Sequence, residues 1–337
     1  MRKGDAVAIA VEDPSQVGEA RRTAMGLAAD AEFDEQLRSD VGIVVTEAAT
    51  NVLKHAGQGE LLVRVLESTG GSGLEVICVD RGQGIADVGE SLRDGVSSRG
   101  TMGGGFGAMR RLADDFAIYS FAGVGTALVC RFWRKDVPER RATIAMAGLS
   151  VAMPGESVCG DGWSATSAPA GTTILMADGL GHGVAAAQAA ETAVRLFREQ
   201  PTHHPEALMA VLHAGLRATR GAAVAVAAID PVRREIRYAG LGNISASIVS
   251  PQATRSLVSH NGTIGHQMRK AQQFVYPWES GALLILHSDG LASHWKLDKY
   301  PGLIQQDPAI VAAMLYRDHT RRRDDVSVVV CRLSEAA

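Results

Sequence analysis

The stretch Trp133-Arg134-Lys135-Asp136-Val137-Pro138-Glu139-Arg140-Arg141 is charged, carries a proline, and stands between two apolar, strand-like runs. Such a stretch is poor material for a strand or a core, so the 337 residues split into two parts that each bury their own apolar side chains. Charge changes across the break. Residues 1–134 hold 14 basic and 19 acidic side chains (net −5), and residues 135–337 hold 20 and 18 (net +2). We therefore expect one domain over 1–134, a linker over 135–142 and a second domain over 143–337.

Composition removes several classes. The overall formal charge of −3 argues against a nucleic-acid partner. The longest apolar runs, Ala222–Ile229 and Ala282–Leu286, fall far short of the roughly 20 residues that span a bilayer, so no membrane association is expected. Met1-Arg2-Lys3 resembles the start of a leader, but the apolar run Ala6–Val11 stops at Glu12-Asp13. Cys78, Cys130, Cys159 and Cys331 form no C-x-x-C pair, and three lie in strand-like runs. They read as buried free thiols of a cytoplasmic protein.

Hydrophobic periodicity gives the first half a strand at 5–11, helices at 15–31 and 33–55, strands at 60–67 and 74–79, a helix near 107–114, and strands at 116–121 and 126–133. The second half reads as strands at 143–153 and 172–177, helices at 184–198 and 205–217, and several short strands. The strand 282–287, a helix near 308–319 and a last strand at 326–333 complete it. Strands and helices do not alternate strictly, so the fold class is α+β: a first α/β sandwich, then a β-sandwich flanked by helices.

On the helix ending at His55, polar residues Glu47, Asn51, Lys54 and His55 share one stripe, while Val44, Val45, Ala48, Ala49, Val52 and Leu53 supply the buried side. Alone, that stripe is an ordinary solvated face. Two glycine-rich segments downstream give it more weight. The strand 74–79 runs into Asp80-Arg81-Gly82-Gln83-Gly84-Ile85, and a glycine-dense loop at 100–107 opens a helix. A carboxylate at a strand end accepts a hydrogen bond from an amino group, and glycines let backbone approach a base. Free N–H groups at a helix start favour phosphate. Asn51 offers Mg²⁺ a neutral oxygen, and Glu47, one turn away, is placed to take or orient a hydroxyl proton.

The segments E-A-A-T-N-V-L-K-H-A (47–56), D-R-G-Q-G-I (80–85), G-G-G-F-G (103–107) and G-V-G-T (123–126) resemble the nucleotide-binding boxes of the GHKL (Bergerat) fold. The likeness is greatest to its RsbT-type and anti-sigma-factor serine/threonine kinases. It implies ATP and Mg²⁺ as cofactors, Glu47 as the catalytic carboxylate, Asn51 as the Mg²⁺ ligand and Asp80 as the adenine contact. Gly82, Gly84, Gly103, Gly105, Gly107 and Thr126 would line the nucleotide. Gln83 stands where proline is usual, and GGGFG where GLGLG is typical.

The second half carries acidic residues at strand ends: Asp161-Gly162 after Cys159-Gly160, Asp178-Gly179 after an apolar strand, Asp289-Gly290 after another, and Asp324-Asp325 before the last. Asp-Gly is an ordinary turn signal, so position rather than frequency makes the case. Short carboxylates converging from strand ends suit Mg²⁺ or Mn²⁺, and two such ions activate water against a phosphate ester.

C-G-D-G-W (159–163), M-A-D-G-L-G-H-G (176–183), G-N-I-S (242–245), H-S-D-G-L (287–291) and D-D-V-S-V-V-V (324–330) resemble the SpoIIE/RsbX branch of metal-dependent protein phosphatases. The likeness implies two divalent ions on Asp161, Asp178, Gly179, Asp289 and Asp324, with Asp325 as a second candidate for the last place. It also offers His182 as a general acid, against a purely structural role at the helix entry. Together the two resemblances imply a bifunctional bacterial partner-switching regulator, kinase plus phosphatase, acting on a STAS-domain phosphoprotein or anti-sigma-factor antagonist in a sigma-factor pathway. The alternative is a phosphatase regulated by a non-catalytic domain that binds ATP or a sigma factor.

Overall fold

A computed structural model describes residues 4–68, 71–92, 105–134, 144–168, 171–268 and 270–333. The expected linker 135–142 and the candidate Gly103 lie outside the described residues. In chain order the first elements are β1 (Val7–Val11), α1 (Pro14–Asp30), α2 (Glu35–His55), β2 (Gly59–Ser68) and β3 (Gly71–Asp80). A short α3 (Val88–Ser91) precedes α4 (Gly105–Leu112), β4 (Asp115–Phe121) and β5 (Gly125–Trp133). Next come β6 (Ile144–Val151), β7 (Asp161–Ala168), β8 (Gly171–Gly179), α5 (Val184–Glu199), α6 (Pro205–Gly215), β9 (Ala222–Asp230) and β10 (Glu235–Leu241). The chain continues through β11 (Ser245–Val249), β12 (Thr254–Ser256), β13 (Ser259–His260), β14 (Phe274–Pro277), β15 (Leu283–His287), α7 (Pro308–His319) and β16 (Val326–Leu333).

These elements form two compact units, and the division does not follow the chain simply. One unit contains the N-terminal elements through β5 together with Leu297–Arg317; the other contains β6 through Lys296 and resumes at Asp318.

In the N-terminal unit an antiparallel sheet in the order β1-β2-β3-β5-β4 is covered by α1 and α2. Both helices start where the sequence provides a cap. The Asp13 side chain accepts from Ser15 N while Gln16 reaches back to Asp13 N, and Asp34 accepts from Leu37 N. Val41, Val44, Val45, Ala48, Ala49 and Val52 of α2 are buried against Leu61, Val63, Val76 and Cys130 of the sheet. The opposite stripe of α2 is thereby left for Glu47 and Asn51, which are half-buried.

The other unit is a sandwich. One sheet runs β13-β10-β9-β8-β7 with β14 on β10, and the second runs β12-β11-β15-β16-β6. β9 shows why its sequence is apolar without alternation. Ala223, Ala225, Ala227 and Ile229 face the second sheet, while Ala222, Val224 and Val226 face α5 and α6. A strand covered on both faces reads as a continuous hydrophobic run. β8 does the same, with Ile174 and Met176 inward and Leu175 and Ala177 under the helices.

The residues of α7 from Pro308 to Arg317 are all buried. A helix apolar on every side is a buried helix. The four cysteines form no disulfide and are buried, and burial pushes the Cys78, Cys130 and Cys331 thiols up. Among the described residues no helix is long and apolar enough to cross a membrane.

Candidate functional sites

In the N-terminal unit the stripe on α2 faces the start of α4. A Cβ built on Gly105 would lie 3.1 Å from Glu47 Oε2 and 3.5 Å from Asn51 Nδ2, so glycine at this position lets the helix start approach both side chains. Gly107, two residues further in, is buried. Asp80 ends β3 with its side chain turned toward two backbone donors: Oδ1 accepts from Gly82 N at 2.8 Å and from Thr126 N at 3.3 Å. Burial pushes the Asp80 carboxyl up against the lowering effect of those two N–H groups and of Arg317.

Glycine is required sterically around this carboxylate. Gly84 has φ +73°, and a Cβ there would sit 2.0 Å from the Phe121 carbonyl oxygen. A Cβ on Gly82 would meet Ala56 at 2.7 Å. The loop before β5 is tied to the same place, with Gly123 N donating to Gln83 O at 2.8 Å and Ser120 Oγ 3.0 Å from Thr126 Oγ1. Asp80, Gly82, Gly84 and Thr126 therefore share one corner, and Glu47, Asn51 and Gly105 share another.

In the sandwich unit Asp161 opens β7 and Asp178 closes β8, and the two are paired in register. The segment 161–168, D-G-W-S-A-T-S-A, is too polar to read as a strand from its sequence, and pairing along β8 makes it one. Asp289 lies just beyond β15, and Asp324 and Asp325 precede β16, its antiparallel neighbour. Carboxylates from both sheets are thus gathered at one end of the sandwich. Burial raises the Asp178 carboxyl first, and Asp161, Asp289, Asp324 and Asp325 raise it further. Asp161 is raised by burial and by Asp325 and Asp324, against the lowering effect of Ser288 and Ser327.

Two polar residues outside the expected set hold these carboxylates, and a third holds His182. Ser288 Oγ donates to Asp161 Oδ2 at 2.6 Å and accepts from Ser327 N at 2.9 Å, which ties one sheet to the other. Asn243 Nδ2 donates to Asp289 Oδ2 at 2.7 Å. His182 Nδ1 lies 2.7 Å from Glu156 Oε1. Burial raises the Asp324 carboxyl, the Asp325 N–H it accepts lowers it, the Asp289 and Asp325 charges raise it, and His182 lowers it. Ser288 and Asn243 sit inside the motifs H-S-D-G-L and G-N-I-S; Glu156, in the loop before Cys159, has no such signal.

The last acidic pair is unequal. Asp325 is 3% exposed, with Oδ1 accepting from Met153 N at 2.9 Å and Oδ2 buried without a hydrogen-bond partner. Asp324 is more open. Among the described residues no three His, Cys, Asp or Glu side chains are disposed around one point as a finished ligand set. Carboxylates this close repel unless a cation lies among them. The donor set, all hard oxygen with one buried oxygen unsatisfied, fits Mg²⁺ or Mn²⁺ and not zinc. Gly179 is packed against α5, where a Cβ would lie 2.1 Å from the Ala186 carbonyl oxygen.

Residues 10–132 match the histidine kinase-like ATPase domain family. The serine/threonine-protein kinase RsbT of Bacillus subtilis (strain 168) is 31% identical over 114 residues, 34% of this chain and 86% of RsbT. Through its N-terminal domain, the chain belongs to the RsbT family. Residues 168–334 match the Stage II sporulation protein E (SpoIIE) family. A solved chain from work on the bacterial stressosome, as a modular system adapted to control secondary messenger signalling, is 26% identical with a TM-score of 0.52. The match covers 56% of this chain and 99% of that one. RsbX in complex with magnesium shares the fold at 22% identity and a TM-score of 0.51, covering 58% of this chain and 98% of RsbX. The chain thus joins an RsbT-type domain to a segment that matches the SpoIIE family model. Within the SpoIIE match lie Asp178, Asp289 and Asp324, whereas Asp161 precedes it and is brought in by strand pairing.

Proposed function

We propose that this chain is a bifunctional partner-switching regulator, an ATP-dependent serine/threonine kinase fused to a Mn²⁺- or Mg²⁺-dependent phosphoserine/phosphothreonine phosphatase. The observation that carries the reading is the gathering of Asp161, Asp178, Asp289 and Asp324 from both sheets, in one chain with the Glu47, Asn51 and Asp80 set. The substrate class is a STAS-domain phosphoprotein, the chemistry on which opposed kinase and phosphatase activities make a switch.

In the kinase half, Asp80 accepts from the adenine amino group while the Gly82 and Thr126 N–H groups hold its other lone pairs. Asn51 offers an oxygen to the Mg²⁺ of the nucleotide, and Glu47 takes the proton of the substrate hydroxyl as it attacks the γ-phosphate. In the phosphatase half, Asp161, Asp178, the Gly179 carbonyl, Asp289 and Asp324 would hold two divalent ions, with Asp325 as the alternate ligand. Bound there, the ions supply charge for the phosphate and acidify water. Ser288 and Asn243 orient Asp161 and Asp289. His182, oriented by Glu156, gives a proton to the leaving hydroxyl.

The test is to incubate the purified chain with [γ-³²P]ATP and candidate STAS proteins, using Asp178→Asn to disable the phosphatase. Labelled substrate supports the kinase. Its absence, with Mn²⁺-dependent phosphate release intact in the unsubstituted chain, leaves a phosphatase with a non-catalytic partner domain.

A further inference from the structure

The chain interrupts the SpoIIE domain between Asp289 and Asp324 to send Leu297–Arg317 into the unit that holds the nucleotide candidates. Hydrogen bonds from five side chains fasten it there. Arg131 forks onto both Asp307 oxygens, Nη1 at 3.0 Å and Nη2 at 2.9 Å. Tyr119 OH donates to Pro301 O at 3.1 Å, and Tyr316 OH to Glu60 Oε1 at 3.2 Å. At the segment's last residue, Arg317 Nη1 donates to the carbonyl oxygen of Asp80 at 2.5 Å, and Arg81 Nη2 donates back to the Arg317 carbonyl.

The last of these contacts falls at a particular point in the sheet. The β3–β5 register ends with Val79 opposite Ala127, one residue before Asp80. Beyond the end of that ladder, the donor to the Asp80 carbonyl is the guanidinium. Gly125, with φ +95°, makes the space: a Cβ there would lie 2.9 Å from Arg317 Nη1 and 2.3 Å from the Asp80 carbonyl oxygen. Arg317 is 5% exposed, and a buried guanidinium is costly unless its donors are used. Its charge also bears on the Asp80 carboxylate in the sense that keeps it ionised, and so a better acceptor.

We propose that Arg317 is a positioning residue of the nucleotide site, fixing the main chain at Asp80 so that its carboxylate meets the adenine amino group. The nucleotide site of this chain is therefore completed by a residue that sequence order places in the SpoIIE half. This rests on the reading of Asp80 as the adenine contact.

Calorimetric titration of the full chain with Mg·ADP tests it, on the unsubstituted protein, Arg317→Met and Arg317→Lys. Loss of one charge-assisted hydrogen bond is expected to weaken binding about 10-fold or more in Arg317→Met. Lysine, which keeps charge and a donor, should recover part of it. The preference for Mg·ADP over Mg·GDP should shrink in parallel, which a general loosening of the fold would not do. Because removing a buried arginine can itself prevent folding, hydrogen exchange on the unsubstituted chain is the second measurement: Mg·ADP should protect amides of residues 303–317. Binding within about twofold of the unsubstituted protein in a folded Arg317→Met, or no protection at 303–317, overturns the proposal. Failure of the unsubstituted chain to bind Mg·ADP at all overturns the nucleotide reading itself.

Discussion

Asp161 and Asp178 stand opposite one another in the β7–β8 ladder, two carboxylates side by side at the end of one sheet and both withdrawn from water. Directly opposed like charges destabilise a strand pair, and burial deepens the cost. Replacing one of them should therefore stabilise the metal-free protein. Asp178→Asn is expected to raise the melting temperature in EDTA by about 2–4 °C for each kcal/mol of relieved repulsion. It should also remove the stabilisation that Mn²⁺ gives the unsubstituted chain. Differential scanning calorimetry with and without Mn²⁺ reads both.

The same pair sets a pH dependence. Both carboxyls are raised in the folded state, by burial and by their acidic neighbours. Their contribution to stability is present below the unfolded carboxylate value, near about 4, and is lost as pH climbs through the raised folded values. In EDTA the sandwich unit should lose stability as pH rises above that value, and the gain from added Mn²⁺ should grow over the same range. Melting curves at a series of pH values test this; a Mn²⁺ effect that is flat with pH would contradict it.

Ser288 serves Asp161 and the Ser327 backbone with one hydroxyl. Ser288→Ala leaves a buried N–H and one carboxylate oxygen without that partner, at a cost of about 1–3 kcal/mol. The Mn²⁺ concentration needed for half-maximal phosphate release should rise about 10-fold or more, as for other outer partners of metal ligands. Titrating activity against Mn²⁺ measures it.

Glu75 lies at the centre of a buried charge network, 2.6 Å from Arg64 Nη2 and 2.7 Å from Arg131 Nε. Its carboxyl is opposed by burial, yet the two guanidinium groups hold it below its ordinary value. Glu75→Gln removes the carboxylate that faces Arg64, while Arg131 keeps Asp307, and should destabilise the N-terminal unit by about 3–5 kcal/mol. Hydrogen exchange at the amides of β2, β3 and β5 in increasing urea is the measurement.

Much of this architecture is legible in the sequence, for identifiable reasons. Helix α2 announces itself through Asp34, the apolar set around Val45, and the Glu47–Asn51 stripe. The Asp178 and Asp289 positions are visible because each ends an unmistakably apolar strand. β7 is not, since alternation is hidden when Ser164, Thr166 and Ser167 take up strand positions. Nor is the destination of Leu297–Arg317. α7 reads clearly as a helix, but it is apolar on all sides and displays no single face to say what it packs on. The contacts that place it, Asp307 with Arg131 and Arg317 with Asp80, join residues far apart in the chain.

The most direct test of the bifunctional reading tracks one phosphosite in both directions. A STAS-domain substrate is incubated with the full chain and Mg·ATP, then with Mn²⁺ after ATP is removed, using the unsubstituted protein, Glu47→Ala and Asp178→Asn. We expect the unsubstituted chain to add and remove phosphate, Glu47→Ala only to remove it, and Asp178→Asn only to add it. Phosphorylation by Glu47→Ala at the unsubstituted rate, or phosphate release undiminished in Asp178→Asn, would contradict it.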